Sequence, residues 1–226
     1  MGDIRRLIAF DLDGTLIDSR RDLADSANEL IQELGGEPLS EEQIGTMVGE
    51  GARVLVARAL AAARLGDDAA TALPRFLEIY DTRLLNHTKP YDGVAEMLAF
   101  ARDHARLAVL TNKPKAPTEV ILKGLELRDH FEAIVGGDGP VPRKPDPAGL
   151  NALIDLTGAS ADTALMVGDS VIDFETATRA RVRCVIATYG YGFQMFPEGK
   201  LTGDEWTVKS PAELREMIQR FANGSS

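Results

Sequence analysis

Two aspartates, Asp11 and Asp13, stand directly after the apolar run Leu7-Ile8-Ala9-Phe10. Because side chains alternate along an extended chain, the two carboxylates would point to the same side and repel one another. A cation between them would remove that repulsion. We therefore interpret the run Asp11-Leu12-Asp13-Gly14-Thr15 as a candidate site for a metal-assisted nucleophile.

Four further apolar runs each lead into a short polar cluster. These clusters are Thr111-Asn112-Lys113, Gly136-Gly137-Asp138, Gly168-Asp169-Ser170 and Thr188-Tyr189-Gly190. Short runs that are apolar on both faces, separated by helical patterns, indicate parallel strands covered by helices. The sequence thus predicts an α/β fold with a Rossmann-like open parallel sheet and helices on both faces. Ligands of such sheets bind at the carboxyl ends of the strands, where these clusters fall.

A long stretch, residues 11–106, separates the first two predicted strands and greatly exceeds what one crossover requires. Apolar residues recur there at helical spacing in several segments, the first opened by Ser19 as a predicted N-cap. We predict a small all-α cap of residues 17–87, inserted after the first strand into a core domain of residues 1–16 and 88–226. The two connections would let the cap move as a lid.

Phosphoryl transfer needs a nucleophile, a proton donor, phosphate-binding groups and a metal ion. Asp11 is the candidate nucleophile, and Asp13 is the candidate general acid and base. Thr111 and Asn112 can donate hydrogen bonds to phosphate oxygens. Lys144 supplies a positive charge on a loop flanked by prolines.

Asp169 and Asp173 add carboxylates after the fourth strand, and such oxygen ligands suit Mg²⁺. Each motif also has a simpler interpretation. The run Asp11-Leu12-Asp13-Gly14 is typical of a turn, and the run Gly168-Asp169-Ser170 fits a helix N-cap. Lys144 taken alone would be a surface residue. Their shared place at the strand ends, with charges that balance a phosphate and a divalent metal, favours the catalytic interpretation.

These motifs resemble those of the haloacid dehalogenase superfamily of phosphohydrolases. The matching segments are Phe10-Asp11-Leu12-Asp13-Gly14-Thr15-Leu16, Leu110-Thr111-Asn112, Arg143-Lys144-Pro145-Asp146-Pro147 and Val167-Gly168-Asp169-Ser170-Val171-Ile172-Asp173. The resemblance extends from about residue 5 to residue 220. It implies a Mg²⁺-dependent reaction through an aspartyl phosphate and a mobile cap.

The same resemblance assigns a role to each motif. The residues implied to hold the metal are Asp11, the Asp13 backbone carbonyl and Asp169, and those implied to hold the phosphate are Thr111, Asn112 and Lys144. Asp173, with Gly168 and Ser170 beside it, would support the lysine or the metal.

Within the superfamily, the cap segment 47–60 and the run Thr188-Tyr189-Gly190-Tyr191-Gly192 resemble the phosphoglycolate phosphatase family. The chain departs from that family in two places. Ile172 stands where Asn is frequent, and the run Arg181-Val182-Arg183 stands where a helix usually ends in glycine.

The cap residues Gly49, Glu50, Gly51 and Arg53 are the candidates for substrate selection. A polar neutral residue is common in the family where this chain has Glu50. A negative side chain facing the site would disfavour a substrate that carries a carboxylate, although Arg53 could offset it.

The predicted activity is hydrolysis of a small phosphorylated metabolite, with phosphoglycolate as the model substrate. A sugar or polyol phosphate, a nucleotide monophosphate and broad specificity stay open. Two other functions are also open. A phosphomutase of the β-phosphoglucomutase type would retain Asp11 and Asp13, and a non-catalytic family member would act by binding alone.

The composition argues against several partners. With 35 acidic and 25 basic residues, the 226-residue chain carries a formal charge of −10, which disfavours nucleic acid and anionic membranes. It has no apolar run of membrane-spanning length and no signal-peptide pattern, and its single cysteine excludes an internal disulfide. We expect a cytoplasmic monomer or homodimer with no nucleic acid or membrane partner.

Overall fold

The computed structural model describes residues 6–66, 68–203 and 205–223. The strands in this part of the chain are β1 (Leu7–Phe10), β2 (Ile17–Asp18), β3 (Lys89–Pro90), β4 (Arg106–Leu110), β5 (Ala133–Val135), β6 (Ala164–Gly168), β7 (Arg183–Ala187) and β8 (Trp206–Val208). Six of them form a parallel sheet in the order β5-β4-β1-β6-β7-β8. Strand β1 therefore lies in the interior of the sheet, between β4 and β6.

The helices of the described chain are α1 (Arg20–Glu33), α2 (Glu41–Gly45), α3 (Ala52–Ala62), α4 (Ala69–Asp81), α5 (Val94–Arg102), α6 (Lys115–Gly124), α7 (Ala148–Thr157), α8 (Val171–Ala180) and α9 (Pro211–Ala222). Helices α7 and α8 cover one face of the six-stranded sheet, and α5, α6 and α9 cover the other. None of the helices in the described ranges is long and apolar enough to cross a bilayer.

The residues of β1 alternate between two hydrophobic cores. Leu7 and Ala9 pack with apolar residues of α7 and α8, whereas Ile8 and Phe10 pack with those of α5, α6 and α9. All four side chains are fully buried. A strand buried on both faces needs apolar residues at every position, which explains the uninterrupted apolar run. The predicted α/β fold with helices on both faces is confirmed.

Helices α1 to α4 lie between β2 and β3, as the helical spacing predicts. Strands β2 and β3 pair antiparallel, with Ile17 opposite Pro90 and Asp18 opposite Lys89, so the chain enters and leaves this insert at one place. The boundaries of a cap over residues 17–87 stay a prediction. The first five residues of the predicted core domain lie outside the described ranges.

A buried carboxylate joins the two ends of the insert. Asp22 of α1 accepts hydrogen bonds from the backbone N–H groups of His87 (2.9 Å) and Thr88 (2.8 Å) and from the Thr88 hydroxyl (2.7 Å). The Asp22 side chain has no solvent exposure, and these donors take the place of water.

The structure corrects one local expectation. Ser19 precedes α1, but its side chain makes no capping hydrogen bond. Its hydroxyl donates instead to Asp13, whose carboxylate is a stronger acceptor than a neutral group. At α2, by contrast, the Ser40 hydroxyl does cap the helix, and Ser40 and Gln43 form a capping box.

Candidate active site

The polar clusters meet at one edge of the sheet because all the main strands run in parallel. Asp11 follows β1, Thr111 follows β4, and Asp169 follows β6. The backbone N–H of Asp11 continues the pairing by donating to Val167 (2.8 Å), and that of Thr111 donates to Val135 (3.0 Å). The side chains that follow the strands are thus held in register with the sheet.

Asp11 is paired with a buried lysine. The Lys144 ammonium lies 2.7 Å from Oδ1 of Asp11 and 2.6 Å from Oδ1 of Asp173. Its side chain is only 3% exposed, so it is not the surface residue that a single lysine would suggest. Burial alone would lower the pKa of Lys144, but the two adjacent carboxylates raise it above its ordinary value. Lys144 therefore remains charged beside the candidate nucleophile.

Three buried carboxylates converge at this point. Asp11, Asp169 and Asp173 each offer an oxygen within 4.8 Å of the others. Burial raises the pKa of Asp11 to about 7, with Asp173 and Asp13 adding to the effect and Lys144 opposing it. Burial and the charges of Asp11 and Asp173 also raise the pKa of Asp169 well above its usual range. A divalent cation would favour the ionised forms, so this donor set fits Mg²⁺.

Asp173 is already bonded on both oxygens. Oδ1 accepts from Lys144, while Oδ2 accepts from the backbone N–H (3.1 Å) and the hydroxyl (2.6 Å) of Ser170. Ser170 and Asp173 form the capping box that begins α8. The predicted N-cap is therefore present, and the supporting role of Asp173 stays a prediction. A Cβ on Gly168 would lie 2.2 Å from the Asp173 carboxyl carbon, so only glycine fits there.

Asp169 has one bonded oxygen, since Oδ2 accepts from the backbone N–H of Gly192 (2.7 Å). Gly14 approaches the same carboxylate, and its φ of +89° lies in the left-handed region. A Cβ there would be 2.0 Å from Oδ2 of Asp169. The glycine that follows Asp13 thus allows the first and fourth motifs to meet.

Asp13 lies apart from the three-carboxylate cluster. Both of its oxygens accept from the Lys113 ammonium at 3.0 Å, and Oδ1 also accepts from the Ser19 hydroxyl at 2.5 Å. The Ser19 hydroxyl is in turn 3.2 Å from that of Tyr191. The predicted metal contact of Asp13 involves its backbone carbonyl, and the predicted proton transfer would use this side chain, whose oxygens accept from Lys113 and Ser19.

Sequence reasoning assigned no role to Lys113, Ser19 or Tyr191 in the site. The first of these was detectable, because Lys113 follows the same strand end as Thr111. Burial alone would lower the pKa of Lys113, but the negative charge of Asp13 raises it above its ordinary value. The Asp13–Lys113 pair is therefore a buried ion pair.

The two residues predicted to hold phosphate after β4 are differently placed. The Thr111 hydroxyl accepts from the backbone N–H of Lys113 (3.1 Å), and its own hydrogen is free to donate. The Asn112 amide nitrogen donates to the carbonyls of Gly49 (2.9 Å) and Lys144 (3.0 Å). Both of its amide hydrogens are thus engaged by backbone oxygens.

The insert closes over Asp11 and Asp13 to form a pocket. Gly49 and Gly51 line it, as predicted for this cap loop. Glu50 and Arg53 are not among the described lining residues: Glu50 forms an ion pair with Arg58, and Arg53 is exposed. Their influence on substrate choice stays a prediction.

Comparison with known proteins shows the family of this chain. A family model described as Haloacid dehalogenase-like hydrolase matches residues 8–187. The chain therefore belongs to the haloacid dehalogenase-like hydrolase family.

Within this family, the chain is similar to proteins named phosphoglycolate phosphatase. The chain is 47% identical over 194 residues to the phosphoglycolate phosphatase of Rhodospirillum rubrum, with 82% of this chain and 80% of that protein covered. It is 39% identical over 225 residues to that of Pseudomonas fluorescens, covering 96% and 80%. A solved structure, a predicted phosphoglycolate phosphatase from Haemophilus somnus, has a TM-score of 0.87 at 33% identity and covers 95% of this chain and 98% of its own. The predicted superfamily and enzyme class, a phosphoric monoester hydrolase, are confirmed.

Proposed function

We propose that this enzyme hydrolyses a small phosphorylated carboxylate of the phosphoglycolate type through a phosphoryl group carried on Asp11. The observation that carries the proposal is the Asp11 carboxylate, which lines the pocket and lies 2.7 Å from the buried Lys144 ammonium. Several relatives are named phosphoglycolate phosphatase, which supports this choice of substrate.

In the first half-reaction, a carboxylate oxygen of Asp11 bonds to phosphorus and the ester P–O bond breaks. The departing oxygen takes a proton from Asp13, which must enter this step as the neutral carboxylic acid and leaves it as the carboxylate that pairs with Lys113. Lys144 holds Asp11 in place and offers positive charge to the phosphoryl oxygens, whose charge must be stabilised as the bond changes. The first product is an alcohol, which is glycolate for this substrate.

In the second half-reaction, a water oxygen bonds to phosphorus and the Asp11–phosphorus linkage breaks. The Asp13 carboxylate takes a proton from that water, which restores both aspartates and releases inorganic phosphate.

We propose Mg²⁺ as the cofactor, held by Asp11, Asp169 and the Asp13 backbone carbonyl. Asp173 contributes less directly, because Lys144 and Ser170 already occupy its oxygens. The ion would neutralise charge on the phosphoryl oxygens when bound.

The decisive experiment combines turnover with capture of the intermediate. Phosphate release is measured with Mg²⁺ on phosphoglycolate, p-nitrophenyl phosphate and a hexose 1-phosphate, and acid-quenched samples are searched by mass spectrometry for a phosphorylated Asp11 peptide. We expect phosphate release, a phosphorylated peptide, and the loss of both in Asp11→Asn.

Asp155→Asn, which changes an exposed aspartate of α7, should retain full activity. A folded Asp11→Asn enzyme that still turns over would refute the mechanism. Formation of hexose 6-phosphate with little free phosphate would instead establish a mutase, and a folded enzyme without turnover on any substrate would indicate a non-catalytic protein.

A further inference from the structure

Lys113 is a buried cation in the pocket that the reaction described above does not use. It is 7% exposed, and its ammonium lies 3.0 Å from both oxygens of Asp13 and 4.7 Å from the centre of the Tyr80 ring. An ammonium has three N–H donors, so two can remain on Asp13 while the third exchanges its contact with Tyr80 for one with a ligand.

The rest of the pocket above Asp11 is mainly apolar. Its lining on the insert side includes Leu23, Val48, Leu55, Phe76 and Leu77. Among the described residues that line the pocket, Lys113 is the only lysine or arginine. An anionic group on the leaving half of a substrate would lose its hydration here, and that loss requires compensation by a charged partner.

We propose that Lys113 binds the carboxylate of the substrate and so selects phosphate esters that carry a second negative charge close to the ester oxygen. This inference rests on the proposed function. If Asp13 protonates the ester oxygen, a group attached one carbon away lies beside Asp13 and therefore beside Lys113, which touches both Asp13 oxygens.

The geometry also limits the length of the substrate. In phosphoglycolate the carboxylate is attached to the carbon that bears the ester oxygen. A carboxylate at the end of a longer chain would extend past Lys113 toward the apolar side chains of the insert. The structure thus favours short anionic esters over long ones and over neutral sugar phosphates.

The test compares two substrates of similar size, phosphoglycolate and ethyl phosphate, which lacks the carboxylate. A charge-assisted hydrogen bond changes binding by about 10- to 100-fold, so the wild-type enzyme should prefer phosphoglycolate in kcat/KM by about that factor. Lys113→Met should abolish most of this preference, and Lys113→Arg should retain part of it.

Lys115→Met is the matched control, because Lys115 is exposed and lies only two residues further along the chain, at the start of α6. Its substrate preference should equal that of the wild type. Loss of Asp13 positioning alone would reduce kcat/KM for both substrates equally, so an unchanged ratio in folded Lys113→Met would overturn the proposal.

A second measurement needs no variant. A wild-type enzyme that hydrolyses ethyl phosphate as efficiently as phosphoglycolate would also overturn the proposal, while leaving the phosphatase function intact. Failure to hydrolyse either ester or p-nitrophenyl phosphate would instead overturn the proposed function on which it rests.

Discussion

The side-chain amide of Asn112 donates to the carbonyl oxygen of Gly49 at 2.9 Å, which joins the end of β4 to the helical insert. Its second hydrogen bond, to the carbonyl of Lys144 at 3.0 Å, reaches the loop whose ammonium contacts Asp11. One side chain therefore connects the insert with the lysine of the site. A phosphate ligand would compete with these carbonyls for the same amide hydrogens.

Replacing Asn112 with alanine should weaken both connections. Two hydrogen bonds worth about 1 kcal/mol each would be lost, so we expect kcat/KM to fall about 10- to 30-fold. Amide hydrogen exchange in residues 49–51 should become faster. Asn151→Ala, an exposed change on α7, should alter neither quantity. Unchanged exchange at 49–51 together with weaker inhibition by inorganic phosphate would show that Asn112 binds phosphate instead.

Stabilisation by Mg²⁺ should depend on pH. The folded-state pKa of Asp11 is about 7 and that of Asp169 is also raised, so their contribution to stability is present below their ordinary pKa and is lost as pH rises toward neutrality. Mg²⁺ binds the ionised forms and should reverse this loss. We expect a larger Mg²⁺-induced rise in Tm at about pH 8 than at about pH 5.

Thermal unfolding with Mg²⁺ and with a chelator at the two pH values measures this difference. The control is Asp155→Asn, which should follow the wild type. Equal shifts at both pH values would contradict the assignment of these carboxylates to the metal.

Arg181 ends α8 in the left-handed conformation, with φ of +58°. A non-glycine residue in this region costs about 1 kcal/mol or more, so Arg181→Gly should increase the free energy of unfolding by about 0.5 to 1 kcal/mol. Urea denaturation provides the measurement. Ala180→Gly, one residue earlier within the helix, should lower stability by about 0.5 to 1 kcal/mol. Two changes of the same sign would mean that strain at Arg181 is not the cause.

Asp22→Asn should destabilise the protein strongly. An asparagine has one acceptor oxygen in place of two, so with that oxygen facing Thr88 its NH2 group would face the backbone N–H of His87, and a buried donor left without a partner costs about 1 to 3 kcal/mol. We expect the free energy of unfolding in urea to fall by about 1 to 3 kcal/mol. Asp25→Asn, an exposed change on the same helix, should have little effect. Similar losses in the two variants would argue against a role for Asp22 in joining the ends of the insert.

The parallel sheet was predictable where strands are buried on both faces. The run Leu7-Ile8-Ala9-Phe10 has apolar residues at every position because two cores need them. Strand β8 has no such pattern: its three residues, Trp206, Thr207 and Val208, include an exposed threonine at the edge of the sheet. Strands β2 and β3 have two residues each, and their pairing is visible only once the chain has folded.

The site was predictable to the extent that strand ends determine it. Asp11, Thr111 and Asp169 follow neighbouring parallel strands, so their proximity follows from the topology. The contacts of Asp13 required the structure, because they come from Lys113, about one hundred residues away, and from Ser19. The local sequence predicted a helix cap for Ser19. The residues around Lys113 do not indicate that its side chain is buried.

The pairing of β2 with β3 allows the insert between them to vary in length and sequence. Since Tyr91 donates its backbone N–H to Leu16 (3.1 Å), the exit from the sheet and the return to it are neighbours in space. Helices between these points can be lengthened, shortened or exchanged without shifting the register of β1 against β4. The helices that cover the pocket can thus diverge in evolution while the residues at the strand ends, which carry the chemistry, stay the same.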